Sequence, residues 1–253
     1  MKQLKTINTI LLLNLSLMTA YGQEGLKFFN EGLVLNAKGE FQKAFEVFSK
    51  GIEINDISKS VNYYGRACAN YGLKNLKQAK SDIKQSLKTE KINNERINSD
   101  IYWLQALVAD TEGKKKLEIR SYKKAIEYAP DNDLLKISLG LALIEDNKHH
   151  KAIQILTEII DKGNQHAFAY NNRGLAYLKL KDFEKAKSDF EESKNLDDQN
   201  PFLYKNYFLY YKEKNEMGNA CKALEEALTK DMSMYGEEHD TKELKKLKAK
   251  FCP

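Results

Sequence analysis

The sequence predicts an all-α protein made of repeated helical hairpins, and three observations favour this fold class. Only three prolines occur in 253 residues, whereas Lys, Glu, Leu and Ala are abundant, which favours helices over strands. Residues 167–200 place apolar side chains at three- and four-residue steps in two successive segments, the pattern of two amphipathic helices. A similar pattern occurs five more times along the chain. Because one hairpin cannot bury its own apolar face, we expect the copies to stack on one another.

The first segment, residues 1–22, is typical of a secretory signal peptide. Two lysines precede an apolar run at residues 10–18, and small residues surround a predicted cleavage point before Gln23. The run is shorter than the roughly 20 apolar residues that a membrane-spanning helix needs, so cleavage is favoured over a retained anchor. The sequence therefore predicts a protein exported to the periplasm, to the cell surface or out of the cell, with a signal of bacterial style and no stable membrane span after cleavage.

The charge of the chain is nearly balanced. The formal net charge is +5, from 41 basic and 36 acidic residues. Removal of Lys2 and Lys5 with the signal leaves 39 basic residues against 36 acidic ones, which is +3. So small an excess argues against nucleic acid as the main partner.

Counting in units of 34 residues divides the chain into six copies of one pattern. The copies cover residues 25–58, 60–93, 99–132, 133–166, 167–200 and 201–234. Counted from the first residue of each copy, position eight is small in five copies, as Gly32, Ala67, Ala106, Gly140 and Gly174. Position twenty is alanine in five copies, as Ala44, Ala79, Ala152, Ala186 and Ala220. Small side chains at these positions allow two helices to cross closely.

The period and this pattern of small and aromatic residues resemble the tetratricopeptide repeat, over residues 25–234. The resemblance implies helix-turn-helix units that stack into a right-handed superhelical solenoid. We therefore divide the chain into a signal peptide (residues 1–22), a repeat array (23–234) and a C-terminal capping helix (within 235–253). Leu244, Leu247 and Phe251 form the apolar stripe with which the capping helix is expected to cover the last repeat.

Three departures from the pattern predict local irregularities. Glu118 occupies the small position twenty of the third repeat, and Phe208 occupies the small position eight of the sixth. We expect those two hairpins to be splayed or shifted. Residues 94–98 interrupt the period, which predicts a lengthened helix or a loop, and a joint between a two-repeat block and a four-repeat block.

The sequence contains no motif that predicts catalysis. A phosphate-binding loop, a zinc-protease motif, a nucleophile elbow and a dinucleotide fingerprint are all missing, so we expect neither enzyme activity nor a cofactor. His149 and His150 stand at a turn without a third metal ligand in view, and packing is the favoured role for this pair. Of the three cysteines, Cys221 and Cys252 are the better candidates for a disulfide, the alternative being unpaired thiols.

The resemblance also implies a binding surface. In tetratricopeptide arrays, positions two, five, nine and twelve of the first helix of each repeat line a concave groove that holds peptides or protein segments. The residues that we predict to bind a partner in this way, with no metal among them, are Phe29, Leu33, Tyr64, Tyr71, Trp103, Leu107, Ile137, Leu141, Ile144, Asn171, Leu175, Leu178, Phe202, Lys205 and Leu209. Most of them are apolar, so the groove is expected to be conspicuously apolar.

Two further expectations concern what this groove binds. Trp103 is either an exposed aromatic anchor or, after a shift of its helix by one residue, part of the stack. Family members that clamp the acidic carboxy-terminal tails of chaperones use Lys and Asn at positions five and nine, where the first repeat has Phe29 and Leu33. An apolar or amphipathic ligand, such as a helix laid in the groove, is therefore the better hypothesis.

The resulting functional hypothesis is an exported, non-enzymatic adaptor that binds a peptide or protein segment in the groove. One alternative is a structural subunit of a cell-envelope secretion or assembly complex. A second alternative is the ligand-sensing partner of an enzyme.

Overall fold

The computed structural model describes residues 23–54, 58–88, 95–163, 165–230 and 238–252. The predicted signal peptide, residues 1–22, lies outside the described residues. Within these ranges the chain forms thirteen α-helices and no strand, which confirms the all-α solenoid class. None of the described helices is both long and apolar enough to cross a membrane.

The helices alternate between the first and the second helix of each repeat. In chain order they are α1 (Gln23–Lys38), α2 (Phe41–Glu53), α3 (Lys59–Gly72), α4 (Leu76–Lys88), α5 (Glu95–Thr111), α6 (Lys115–Tyr128), α7 (Asp133–Glu145), α8 (His149–Asp161), α9 (Ala167–Lys179), α10 (Phe183–Leu196), α11 (Pro201–Glu213), α12 (Met217–Thr229) and α13 (Glu238–Phe251). Odd-numbered helices from α1 to α11 come first in their repeats, and α13 is the capping helix. The turns inside the hairpins use left-handed residues, among them Gly39 and Asn147 with φ of 79° and 57°.

The chain divides into two compact units, residues 1–132 and 133–253, with α1–α6 in unit 1 and α7–α13 in unit 2. The boundary between the two units comes after the third repeat, between residues 132 and 133. The prediction of a joint at residues 94–98 is therefore wrong. Of that stretch, residues 95–98 add a turn to α5, which is 17 residues long. Ile97 on this added turn and Leu87 of α4 pack against the same core, which ties the extension to unit 1.

Glycines of the first helices, Gly32 and Gly174 at position eight and Gly65 at position six, make room for one large side chain of a second helix. Phe48 of α2 is fully buried, and a Cβ atom added to Gly32 or Gly65 would lie 2.5 or 2.2 Å from its ring. In unit 2, a Cβ atom added to Gly174 would lie 2.7 Å from the ring of Phe190 on α10. Each ring therefore occupies the space that a side chain of the glycine would need. This close packing explains why position eight has a small residue.

The two unusual residues at small positions do not splay their hairpins, which pack as extensively as the other hairpins. Glu118 is buried, and the Lys115 ammonium lies 2.6 Å from its carboxylate, so the charge is compensated inside the hairpin. Phe208 is buried because α12 faces it with small side chains and α13 covers it, the Phe251 ring lying 5.8 Å away. The expectation of splayed or shifted hairpins is therefore wrong.

A matched arginine–aspartate pair joins the two helices of the second and fifth repeats. The Arg66 guanidinium donates to both carboxylate oxygens of Asp82, at 3.0 and 2.7 Å, and a further N–H donates to Ser49 of the preceding repeat. Arg173 donates to Asp189 at 2.9 and 2.8 Å, and to Thr157 of the preceding repeat. Each arginine thus connects its own hairpin with the second helix of the repeat before it.

The capping helix is held to the last repeat by apolar contacts and by a covalent bond. Leu244 is buried against α11 and α12, and Leu247 and Phe251 pack on the same cluster. Cys221 of α12 and Cys252 form a disulfide, with their Cα atoms 5.6 Å apart. Cys68 is an unpaired and buried cysteine.

Replacement of Gly65 by alanine tests the close approach at Phe48. We expect Gly65→Ala to lower the free energy of unfolding by about 1 to 3 kcal/mol, because the added methyl group overlaps a buried ring that has no space to move. Gly218→Ala, which meets no atom within 4 Å, is the control and is expected to be neutral or slightly stabilising. Urea unfolding followed by circular dichroism measures both, and equal midpoints for the two variants would contradict the packing described.

Loss of the disulfide is expected to destabilise unit 2. The bond closes a loop with a sequence separation of 31, for which the chain-entropy account gives about 3 to 4 kcal/mol. The variant with both Cys221→Ser and Cys252→Ser should therefore unfold at lower urea concentration than the oxidised protein. Adding a reductant should move the wild-type transition to that of the variant and leave the variant unchanged, and a wild-type transition insensitive to reductant would contradict this result.

Candidate functional site

The first helices of consecutive repeats lie next to one another and form a surface in each unit. In unit 1, α3 contacts both α1 and α5, and these three helices form what we call the unit 1 face. In unit 2, α9 contacts both α7 and α11, and these form the unit 2 face. Positions two, five, nine and twelve of the repeats lie on these helices.

The structure divides the fifteen predicted binding residues into three classes. The buried ones are Phe29, Leu33, Tyr64, Leu107, Ile137, Ile144, Asn171 and Leu178; the partly buried ones are Tyr71, Trp103, Leu175, Phe202, Lys205 and Leu209; and Leu141 is exposed. Part of the predicted set therefore belongs to the packing between helices, and part of it is accessible. Side chains at position five pack into the stack, as the Phe29 ring does at 6.1 Å from the Phe48 ring.

The unit 2 face carries a regular apolar strip. We define this strip by positions two and nine of three consecutive repeats, which are Leu134, Leu141, Phe168, Leu175, Phe202 and Leu209. Leu134 is 57% exposed and Leu141 is 38% exposed, and the other four are partly buried. Positions two and nine are seven residues, or two helical turns, apart, so both rows point to the same side of their helices.

Two polar residues of the unit 2 face are occupied by contacts within the protein. The Asn171 side-chain oxygen accepts a hydrogen bond from Asn206 of α11 at 2.9 Å, which links neighbouring first helices. The Lys205 ammonium lies 2.6 Å from the Glu243 carboxylate of α13. These two predicted binding residues therefore join elements of unit 2, a role that position in the repeat does not reveal.

The aromatic residues of the unit 1 face are accessible only in part. Trp103 is partly buried and packs against the core of unit 1 while keeping some of its surface open. The Tyr71 hydroxyl lies 3.4 Å from the Thr111 hydroxyl of α5. Neither of the two alternatives for Trp103 holds alone, because the ring belongs to the stack and also borders the face.

The residue that sequence reasoning passed over is Asp100, at position two of the third repeat. The signal was present, because position two is apolar in every other repeat, as Leu26, Val61, Leu134, Phe168 and Phe202. Asp100 places a carboxylate where the other repeats place a hydrocarbon side chain. It lies on α5 opposite Tyr64 and Cys68 of α3, and its charge acts on both of these groups.

Burial dominates the electrostatics of this cluster. It raises the pKa of the Asp100 carboxyl from 3.8 to about 7, against the weaker opposing effect of the Arg96 guanidinium. Burial also raises the pKa of the Cys68 thiol to about 12, and raises the pKa of the Tyr64 hydroxyl. The Tyr64 side chain is completely buried, and the neighbouring Cys68 thiol is the polar group with which its hydroxyl interacts.

His149 and His150, for which packing is the favoured role, are the first two residues of α8. His149 is partly buried and His150 is exposed. Burial lowers the pKa of the His149 imidazole, and the neighbouring charges of Lys179 and His150 add to this effect. Near neutral pH the His149 ring is therefore mainly uncharged.

The raised pKa of Asp100 gives stability a specific pH dependence. The folded state holds the Asp100 proton up to a pH of about 7, whereas an unfolded aspartate releases it near 3.8, so this group lowers the free energy of unfolding as pH rises between these values. Asp100→Asn should therefore stabilise the protein at pH 8, by no more than about 4 kcal/mol, and have little effect at pH 4. Thermal unfolding of the wild type and of the variant at both pH values measures the difference.

The control for this measurement is Glu127→Gln, which removes an exposed carboxylate from α6. It should shift the melting temperature little at either pH. An Asp100→Asn variant that is less stable than the wild type at pH 8 would contradict the account of Asp100.

Comparison with known proteins gives two family matches. The tetratricopeptide repeat family matches residues 167–200 and, separately, residues 99–132. These ranges coincide with the fifth and the third copies counted in the sequence.

Solved structures with similar folds extend the likeness over most of the chain. A tetratricopeptide repeat protein from Parabacteroides merdae is 16% identical, with a TM-score of 0.66, and the match covers 97% of this chain and 92% of that one. YrrB, described as a TPR protein with an unusual peptide-binding site, is 18% identical with a TM-score of 0.59, covering 76% of this chain and 92% of its own. PilW, described as a widely conserved type IV pilus biogenesis factor, is 16% identical with a TM-score of 0.58, covering 76% of this chain and 93% of its own.

At such identities these structures show the fold alone. The fold, the two family matches and the arrangement of small residues around buried rings nevertheless agree with one another. The chain is a tetratricopeptide repeat protein.

Proposed function

We propose that this protein is a non-enzymatic adaptor that binds a peptide or a protein segment along the first helices of its repeats, outside the cytoplasm. The tetratricopeptide fold supports a protein–protein interaction scaffold. The observation that carries the proposal is the apolar strip of the unit 2 face, where two rows of Leu and Phe continue over three repeats. Contiguous accessible apolar side chains on a folded protein are typical of interaction sites.

The chemistry of the strip favours an apolar or amphipathic segment as its ligand. All six of its residues are Leu or Phe, and the nearby Lys205 is paired with Glu243. An amphipathic helix would place residues at three- and four-residue steps against such a strip. A ligand that depends on its terminal carboxylate would find Ile137 and Leu141 at positions five and nine of the fourth repeat.

Two features support a location outside the cytoplasm. Residues 1–22 have the sequence of a secretory signal, although they lie outside the described residues. The disulfide between Cys221 and Cys252 is of the kind that persists in oxidising compartments. The proposed location is the periplasm, the cell surface or the extracellular space, with a mature chain that begins at Gln23.

A second candidate function is that of a structural subunit in a cell-envelope assembly complex. The similarity to PilW, described as a type IV pilus biogenesis factor, favours this alternative. A structural subunit would co-purify with its complex in fixed stoichiometry. An adaptor would exchange its partner and yield variable ratios.

A crosslinked pull-down from the envelope fraction, quantified by mass spectrometry, tests the proposal. Leu134→Asp and Leu141→Asp, each placing a charge in the apolar strip, should reduce partner capture at least tenfold, because burial of an unpaired carboxylate is strongly unfavourable. Met217→Asp changes a similarly exposed apolar residue on α12, away from the strip, and should leave capture unchanged. Equal capture by the wild type and by all three variants would contradict the proposed binding surface.

A further inference from the structure

We propose that the segment bound on the unit 2 face has an Asp or Glu side chain beyond one end of its apolar residues, and that the Lys212 ammonium of α11 receives this carboxylate. The inference rests on the proposed function and adds the charge and the direction of the bound segment. The observations that carry it lie at the edge of the unit 2 face that borders the capping helix.

The first observation is that lysine enters the unit 2 face only in its last helix. At positions two, five, nine and twelve, α7 and α9 have no charged residue. Position twelve is held by Ile144 in α7 and by Leu178 in α9, and both are buried. In α11 the same position is Lys212, which is partly exposed. The face therefore changes from uncharged at α7 to cationic at α11.

The second observation is that the two lysines on α11 differ in their partners. The Lys205 ammonium is paired with the Glu243 carboxylate of α13 at 2.6 Å. The Lys212 ammonium forms no ion pair with any residue that the structure describes, and it lies 4.6 Å from the centroid of the Phe251 ring. The next residue, Glu213, is exposed, and consecutive helical residues point about 100° apart. Lys212 is thus the cation of this face that can accept a carboxylate from outside.

The third observation is a second ammonium group beside the same ring. The Lys250 ammonium of α13 lies 5.1 Å from the Phe251 centroid, on an exposed residue. Like Lys212, it forms no ion pair with a described residue. Two like charges around one ring, with no carboxylate paired to either, create a positive potential at this edge of the face, and such a potential attracts an anionic group.

The dimensions of the apolar strip determine how a segment can lie on it. Neighbouring helices pack about 8–10 Å apart, so a strip across three helices spans about 20 Å. A helical ligand covers that distance with about 13 residues, at about 1.5 Å each. An acidic residue beyond the last apolar residue then reaches α11, and the opposite end of the segment lies on α7. Because only the α11 edge is cationic, one direction is favoured over the other.

The same groups argue against other ligands at this edge. A basic segment would be repelled by Lys212 and Lys250. The clamp for a terminal carboxylate uses Lys and Asn at positions five and nine, where α11 has Lys205, already paired, and Leu209. The carboxylate that Lys212 receives therefore belongs to a side chain of the segment.

Selection of a phage-displayed library of random sixteen-residue peptides on the full chain tests this inference. Selected peptides should share apolar residues at three- and four-residue steps and an Asp or Glu beyond one end. Replacing that acid by its amide should weaken binding to the wild type about threefold, the effect of an accessible ion pair. Lys212→Met should weaken the parent peptide by a similar factor and make the amide replacement nearly neutral, as a double-mutant cycle between interacting groups requires. Fluorescence anisotropy with end-blocked peptides measures the four affinities.

Two further variants separate charge recognition from structure. Lys212→Arg keeps the charge and should retain the affinity for the acidic peptide. Lys222→Met makes the same change of net charge as Lys212→Met, but on an exposed residue of α12 outside the unit 2 face, and should leave affinity unchanged. Raising the salt concentration should weaken the acidic peptide more than its amide counterpart, because screening acts on the ion pair.

Photo-crosslinking tests the direction of the bound segment. A benzoylphenylalanine at the acidic end of the peptide should label α11 or α13, and the same group at the other end should label α7. Mass spectrometry of the digested adducts locates both sites. The reverse pattern, or equal labelling from both ends, overturns the proposed direction.

The outcomes distinguish this inference from the proposed function. Peptides without a common acidic residue, or acidic peptides indifferent to Lys212→Met, overturn the inference and leave the adaptor function intact, provided that Leu141→Asp abolishes their binding. A library that yields no peptide sensitive to Leu141→Asp overturns both.

Discussion

Close approach of helices at glycine is the constraint on which the rest of this structure depends. One ring, Phe48, contacts the backbone at Gly32 in its own repeat and at Gly65 in the next. The same contact therefore fixes the crossing of a hairpin and the stacking of the following one. Because the first helices are drawn together in this way, four of the six side chains at position five are buried. What remains accessible on the faces is chiefly position two and, in unit 2, position nine.

Buried polar groups fix the alignment of the repeats more than they stabilise them. Burial raises the pKa of the Asp189 carboxyl even though the Arg173 guanidinium donates to both of its oxygens, so desolvation outweighs the attraction of the partner. The value of such a pair lies in its geometry, since a guanidinium can donate to both oxygens of a carboxylate in one relative orientation only. Arg173 also reaches Thr157 of the preceding repeat, and that contact allows a single alignment of the two repeats.

The sequence predicted the helices and their pairing well because the period of 34 residues carries both. The left-handed turns at Gly39, Gly113, Asn147 and Asn215 stand at equivalent places in their repeats, as a constant period requires. The prediction of splayed hairpins at Glu118 and Phe208 was wrong, because the effect of a large residue depends on the side chains that face it. Glu118 faces a lysine, and Phe208 faces several alanines. The sequence could not show which of the predicted binding residues are accessible, because helical periodicity assigns a side chain to a face but does not show how far the neighbouring helix covers it, as the buried Tyr64 and Ile137 illustrate.

Asp100 shows that one departure from the repeat pattern can change the stability of the protein. At position two the stack favours a hydrocarbon side chain, and five of six repeats have one. The carboxylate in the third repeat destabilises the folded state at neutral pH, because its raised pKa means that folding opposes its ionisation. Glu118 differs from Asp100, because the Lys115 ammonium compensates the charge of the buried Glu118 carboxylate inside the protein.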